Sequence, residues 1–239
     1  MAFNAQTRIG DVVLELPAAM RVFEGLDMDY CCGGHKSLAE AAAVAGKPVE
    51  TVLAALASLQ AAVPAPTDPK LWTNTTMTAL IDHLEATHHA FTRQELNRVA
   101  PLMERVLKVH GDHHPELLRL SQCLQTAIDD LMPHLAKEEQ VLFPFIRGLE
   151  SGTGAQACFG NVLGPIQVMQ AEHEALGELL REMKTLTEDY TPPADACGSY
   201  RSLYMGLQSL EADLHLHIYL ESHLLFPRAA EAATAQSRA

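Results

Sequence analysis

The sequence predicts an all-α protein: an antiparallel four-helix bundle with a small helical domain ahead of it. Three observations lead there. From about residue 75 onward, apolar residues recur at alternating three- and four-residue steps through four long segments, and no run alternates with the period of two that a strand requires. Turn-forming residues separate the four segments, as short-looped antiparallel helices need. A stretch with three prolines, residues 63–69, divides these segments from a shorter N-terminal part. The expected domains are residues 1–62, a linker at 63–70, and the bundle at 71–239.

The N-terminal part reads as short helices. Ile9, Val12, Val13, Leu16, Met20 and Phe23 recur at helical spacing. A turn-rich knot follows, Asp27-Met28-Asp29-Tyr30-Cys31-Cys32-Gly33-Gly34-His35. Ser37 with Glu40 three residues on forms a capping box for an alanine-rich helix that Gly46 ends. Pro48 opens another helix, from Val49 to about Ala62, with Val52, Leu53, Leu56 and Leu59 on one side.

The first bundle helix is expected from about Thr75 to His110, with a kink or break at Pro101. The second runs from Pro115, suited to a first turn, to about Arg147, and Pro133 either kinks it or starts a new helix. A Gly- and Ser-rich loop spans 148–160. The third helix runs from about Gly164 to Asp189, where Thr191-Pro192-Pro193 breaks it, and the fourth from about Cys197 to Phe226.

Composition narrows the function. Of 239 residues, 48% are apolar and 20% charged, so the chain can bury a core and is not disordered. The formal charge of −13 makes nucleic acid and anionic membranes poor partners. No window approaches about 18 unbroken apolar residues, so no membrane span is expected. The N-terminal stretch lacks a cationic start and carries Asp11 and Glu15, unlike a secretory signal. Five cysteines, two of them adjacent, do not form a disulfide framework and suit a reducing cytoplasm. Twelve histidines in an acidic chain point to a metal.

Those histidines fall on the apolar stripes. The second helix reads Leu124, Ala127, Leu131, His134, Glu138, Val141, Phe145, and the fourth reads Leu207, Leu210, Leu214, His217, Glu221, Leu224. The third reads Ile166, Met169, His173, Leu176, and the first, more roughly, Met77, Leu80, His83, Thr87, Ala90. A lone buried carboxylate costs several kcal/mol, so six such groups in one core need a shared partner. Two metal ions supply it.

An internal repeat supports the pairing. His134, Glu138, Leu142, Phe143 and Pro144 recur 83 positions later as His217, Glu221, Leu225, Phe226 and Pro227. Asp82-His83 and Glu172-His173 share a context as well. Each half therefore reads as a helix with one His followed by a helix with His-x-x-x-Glu. The expected ligands are His83, His134, Glu138, His173, His217 and Glu221, with each Glu able to bridge two ions. Glu139 points about 100° away from Glu138. Asp130 and Glu172 are candidate acceptors that orient imidazoles. Seven other histidines, His88, His89, His110, His113, His114, His215 and His223, read as surface or half-buried, with one of His88 and His89 able to approach the mouth of the site. Imidazole and carboxylate in a dimetal core suit iron and admit manganese or zinc. Cys31 and Cys32, in a Gly-rich turn, are candidates for transient iron uptake or disulfide exchange, while Cys123, Cys158 and Cys197 read as structural or incidental.

With the Tyr30-Cys31-Cys32-Gly33-Gly34 knot ahead of the doubled His-x-x-x-Glu, the chain resembles hemerythrin-like di-iron proteins. Within them it resembles the repair-of-iron-centres family, which restores damaged iron–sulfur clusters under nitric oxide and oxidative stress. The resemblance implies two iron ions, bridged by carboxylate and oxo groups, on the six residues above. It also implies damaged iron–sulfur proteins as partners and nitric oxide or dioxygen as small ligands. Oxygen-carrying hemerythrins have a further His where Gly177 stands here, which speaks against simple oxygen carriage. Gas binding or sensing, and turnover as a di-iron oxidase or nitric oxide reductase, remain as alternatives. The sequence is compatible with an enzyme or a binding protein, and with a homodimer.

Overall fold

The computed structural model describes residues 3–16, 19–26, 28, 34, 36–61, 72–153 and 161–236. Among them the only extended pairing is an isolated bridge between Arg8 and Ser37. The chain forms two compact units, one of residues 1–65 with 193–202, the other of 66–192 with 203–239.

The first unit holds α1 (Ile9–Glu15), α2 (Ala19–Gly25), α3 (Leu38–Val44) and α4 (Val49–Ala61). The capping box forms as expected: the Ser37 hydroxyl accepts from the Glu40 amide at 3.2 Å, and Glu40 accepts from the Ser37 amide at 2.8 Å. Gly46, at φ 67°, turns the chain out of α3 in a left-handed conformation that costs glycine little. Ile9, Val12, Phe23, Leu38, Val52 and Leu56 form the core, each burial contributing on the order of 1.5–3 kcal/mol before entropy is counted. The Gly10 amide donates to the Gly34 carbonyl at 3.0 Å, and a Cβ on Gly10 would lie 2.8 Å from that oxygen. Only glycine allows this approach, which ties the end of the Cys-Cys-Gly-Gly segment to α1. Cys31 and Cys32 themselves, and the whole of the expected linker, lie outside the described residues.

The second unit holds α5 (Met77–His83), α6 (Ala90–His110), α7 (Glu116–Lys137), α8 (Phe143–Ser151), α9 (Leu163–Leu186), α10 (Gly198–Leu220, whose first turn counts with the first unit) and α11 (Phe226–Gln236). These are not seven separate helices. A π-helical segment, Leu84–His89, joins α5 to α6; a second, Glu138–Leu142, joins α7 to α8; a third, Glu221–Leu225, joins α10 to α11. The result is the expected four long helices, three of them carrying a widened turn. Pro101 and Pro133 both sit inside helices and break neither.

Side chains cap and tie the ends. Thr76 accepts from the Ala79 amide at 3.0 Å, and Glu150 accepts from the amides of Met77 and Thr78 at 2.7 and 2.8 Å. A carboxylate there satisfies orphan donors and faces the positive end of the helix dipole. α9 ends at Leu186, three residues before the expected boundary, through three consecutive left-handed residues: Glu188, Asp189 and Tyr190 at φ 49°, 59° and 56°. This turn is strained for residues with a Cβ. The Thr187 hydroxyl, accepting from the Tyr190 amide at 3.0 Å, and the buried Tyr190 ring hold it. One end of the bundle is filled by Leu80, Ile81, Leu84, Phe143, Ile146 and Phe226. No single helix among the described residues is long and apolar enough to cross a membrane.

Candidate metal centre

At the level of the three π-helical segments, six polar side chains meet inside the bundle. They form two groups, His89–Glu138–His217–Glu221 and His134–Glu138–His173–Glu221. Within each, the candidate ligand atoms lie within 4.8 Å of one another, and all six residues are buried. The two carboxylates belong to both groups and divide their oxygens between them. Glu138 Oε2 lies 3.5 Å from His89 Nε2, and its Oε1 lies 3.4 Å from His134 Nε2. Glu221 Oε1 lies 3.1 Å from His217 Nε2, and its Oε2 lies 3.2 Å from His173 Nε2. The Nε2 atoms of His89 and His217 are 3.2 Å apart, as are those of His134 and His173. The rough twofold of the sequence repeat is visible in these matched distances.

The orientation of two imidazoles is set from behind. Glu139 Oε1 lies 2.8 Å from His89 Nδ1, and Glu172 Oε2 lies 2.8 Å from His134 Nδ1. A carboxylate on Nδ1 keeps the proton there and turns the Nε2 lone pair toward the centre. Each carboxylate is itself anchored. Arg93 donates to Glu139 at 2.7 and 3.0 Å, and Lys137 donates to Glu172.

The electrostatics favour a cation. Both oxygens of Glu138, together with Glu221 Oε2, are buried without a hydrogen-bond partner. Burial, then the neighbouring Glu221, pushes the Glu138 carboxyl up to about 7. Burial acts on Glu221 in the same direction, but His217 and His173 outweigh it and hold its pKa well below the ordinary range. Burial, then His217, pulls His89 down to about 4. His134 is opposed by burial, yet Glu138 and Glu172 raise it to about 9. Two carboxylates and four imidazoles in so small a volume share too few protons to satisfy one another. The donor set of nitrogens plus two shared carboxylates is of the kind that holds a pair of transition-metal ions.

Five of the six residues expected from sequence are brought together: His134, Glu138, His173, His217 and Glu221. His83 belongs to neither group. Its ring stacks on Trp72, with centroids 4.1 Å apart at 20°, and its Nδ1 lies 3.2 Å from Thr87 Oγ1. His89 stands where His83 was expected. The cause is the first π-helical segment, whose wider turn shifts the face of the helix after residue 83. The buried positions become Leu84, His88, His89 and Thr92 instead of His83, Thr87 and Ala90. His88 and His89 are accordingly not surface residues; they are 2% and 0% exposed. The missed signal was present: stepping back along α6 through Val106, Met103, Val99, Leu96 and Thr92 arrives at His89. Glu139, expected to point away, is the partner of His89, because the second π-helical segment begins at Glu138 and turns its neighbour toward the first helix.

Of the two candidate orienting carboxylates, Glu172 makes the bond to His134. Asp130 is exposed, on the rim of a small cleft lined also by Leu131, His134, Glu172, His173 and Leu176. This cleft reaches the centre from the α7–α9 side.

Comparison with known proteins agrees with the geometry. Residues 77–229 match the hemerythrin HHE cation binding domain, and residues 5–60 match a domain of unknown function, DUF542. The iron–sulfur cluster repair protein YtfE of Enterobacter sp. (strain 638) is 39% identical over 229 residues, covering 96% of this chain and 98% of the relative. The protein of the same name from Escherichia coli O157:H7 matches with the same identity and coverage.

Proposed function

The chain belongs to the hemerythrin HHE cation-binding family and, over nearly its whole length, to the iron–sulfur cluster repair proteins, and on that premise we propose that it is a di-iron protein that restores damaged iron–sulfur clusters by supplying iron. One ion is assigned to His89, Glu138, His217 and Glu221, the other to His134, Glu138, His173 and Glu221. The observation that carries the reading is the division of each carboxylate, one oxygen to each group. A carboxylate so placed bridges two cations and offsets their mutual repulsion. An oxo bridge between the ions belongs to the same reading. Iron in such a centre supplies ferrous–ferric exchange and open coordination positions.

The residues themselves fit release as well as binding. Glu138 takes a proton near neutrality, and His134 takes one more readily than an ordinary imidazole. Protons therefore compete with metal at one shared bridge and at one terminal ligand. The cleft beside His134 and His173 gives this side of the centre a route to solvent. Damaged iron–sulfur proteins are the partners in this reading, and nitric oxide is a small ligand of the same centre. Cys31 and Cys32 are the proposed thiols for carrying or gating the transferred iron.

The test is metal content with an absorption spectrum, before and after nitric oxide, followed by incubation with a cluster enzyme inactivated by nitric oxide. Two iron ions per chain and recovery of the damaged enzyme are expected. A chain purified from iron-replete cells with one zinc and no iron would overturn the di-iron assignment. Full metal loading without any recovery would overturn repair by iron supply.

A further inference from the structure

The first π-helical segment does more than place His89. In an α-helix, residues five apart point about 140° away from each other. Across the wider turn, His83 and His88 meet edge to face, with centroids 5.3 Å apart. The pairs already assigned to shared ions, His89 with His217 and His134 with His173, have centroids 4.9 Å apart. The separation is comparable, but these rings meet at 88° instead of the 57–58° of the central pairs, so a shared ion needs the His83 ring to turn.

His88 is also prepared in the same manner as His89 and His134. Asp213 Oδ1 lies 3.0 Å from its Nδ1, so the proton is held there and Nε2 presents a lone pair. That Nε2 is buried and has no hydrogen-bond partner, in a side chain only 2% exposed. An imidazole oriented by a carboxylate and left with a bare, buried nitrogen is arranged as a ligand. His83, partly buried beside it, has its Nδ1 3.2 Å from Thr87 Oγ1 and its ring stacked on Trp72, which leaves Nε2 as the nitrogen it can offer. Only the two central groups have three or more ligand atoms within 4.8 Å among the described residues, so a site here is looser and takes the rest of its coordination from water.

We propose that His83 and His88, with Asp213 orienting His88, form a third, weaker and exchangeable site for a divalent transition-metal ion on the flank of the dimetal centre. His88 also stacks on His217, with centroids 5.6 Å apart at 8°, so the site adjoins the ring of a central ligand. Its service as a port through which iron enters or leaves rests on the di-iron reading above; the site itself does not. Two imidazoles without a bound carboxylate hold ferrous, cobalt or zinc ions more weakly than the central groups, as an exchange point requires.

The chain supplies its own reporter. Trp72 is the single tryptophan and stacks on His83. Metal-free protein titrated with cobalt(II) should fill the central groups first, followed by a third equivalent that quenches Trp72. His88→Phe keeps a ring against His217 but has no nitrogen to offer. It should keep the first two equivalents and weaken the quenching step at least tenfold, and Asp213→Asn should weaken it less. Should His88→Phe fold poorly, His83→Phe, which preserves a ring for Trp72, should give the same loss. Trp72 quenching that is complete within the first two equivalents, or a His88→Phe titration that superimposes on the parent, would overturn the site. Glu138→Ala separates the two readings: loss of the central equivalents with Trp72 quenching retained supports the site even if the di-iron reading fails.

Discussion

Glu139→Ala is expected to weaken metal binding at the centre without unfolding the bundle, although Glu139 is not among the residues that face it. The side chain does two things. It fixes the Nδ1 proton of His89 at 2.8 Å, and it takes both terminal nitrogens of Arg93 at 2.7 and 3.0 Å. The Arg93 pair is partly exposed, at 32% and 28%, so its loss costs the fold little, on the order of 0–1 kcal/mol. The loss at His89 is different. Its imidazole is fully buried, and without the carboxylate the proton is free to move to Nε2, where it faces His217 Nε2 and blocks the lone pair. Removing such an orienting partner typically costs roughly 10–100-fold in metal affinity, or about 1.4–2.7 kcal/mol. One imidazole of four is affected, so the lower end is expected, about tenfold. Competition with a coloured chelator measures it, with thermal melting of the metal-free variant as the control. Glu139→Gln, which keeps an acceptor, should fall between parent and alanine. An unchanged affinity in Glu139→Ala, beside a tenfold loss in Glu172→Ala, would refute the claim that His89 is oriented from Nδ1 as His134 is.

Four further outcomes are expected. His89→Ala should drop iron from about two to about one per chain while His83→Ala keeps both central ions; the reverse, read by metal analysis, would restore the straight-helix register. Metal-stripped protein should lose stability as pH rises from about 6.5 to 9, the window of His134: raised from 6.5 to about 9, it binds its proton more tightly folded than unfolded, so its contribution is full below about 6.5 and gone above about 9, while that of Glu138, raised from 4.5 to about 7, is lost earlier, between about 4.5 and 7. His89, lowered to about 4, acts with the opposite sign only between about 4 and 6.5, so a urea midpoint that climbs from pH 7 to 9 would contradict these assignments. Gly206→Ala should cost about 1–3 kcal/mol in a denaturant melt, because its Cβ would lie 2.7 Å from Val99 Cγ1 and from Glu95 Oε1, and 2.2 Å from Arg98 Nη2. Cys31→Ala/Cys32→Ala should keep the iron and the spectrum of the parent yet lose cluster repair; full repair by this variant would leave the motif a turn only.

The fold was readable because each long helix is written twice, in its apolar period and in its punctuation. Ser37 with Glu40, Gly46, and the prolines at 192 and 193 each act within a few residues, and local physics decides them. Pro101 and Pro133 are local signals for a kink or a helix boundary, and the structure places both inside helices. A proline removes one backbone bond and crowds the preceding turn, but both sit in helices packed on their neighbours, α6 against α7 and α7 against α9. Tertiary packing outweighs that local cost. The left-handed run from Glu188 to Tyr190 had little sequence signal, since only Asp189 is of a type that enters that region readily and none is glycine; it persists because Thr187 and the buried Tyr190 ring hold it.

The centre divides along a different line. His134 and Glu138, like His217 and Glu221, are four apart and lie at or before the first residue of a π-helical segment. Up to that point the helix keeps α geometry, so the pair shares the face that the preceding leucines define. His173 sits in α9, which has no widened turn. All five therefore lie on the same side of any insertion as the residues used to set the register. His89 ends its π-helical segment, and the stripe from Met77 to His83 lies on the far side of it. A π-turn has no composition of its own; it is a helix accommodating one extra residue, and what stabilises it is what the displaced side chains then reach. Here those are Glu138, Glu139 and His217 for His89, and Asp213 for His88. The interaction that makes the turn worth its strain is thus long-range, and no local reading of residues 77–90 contains it. The stripe of α6, followed backward, does, because it starts from the side of the insertion on which His89 lies.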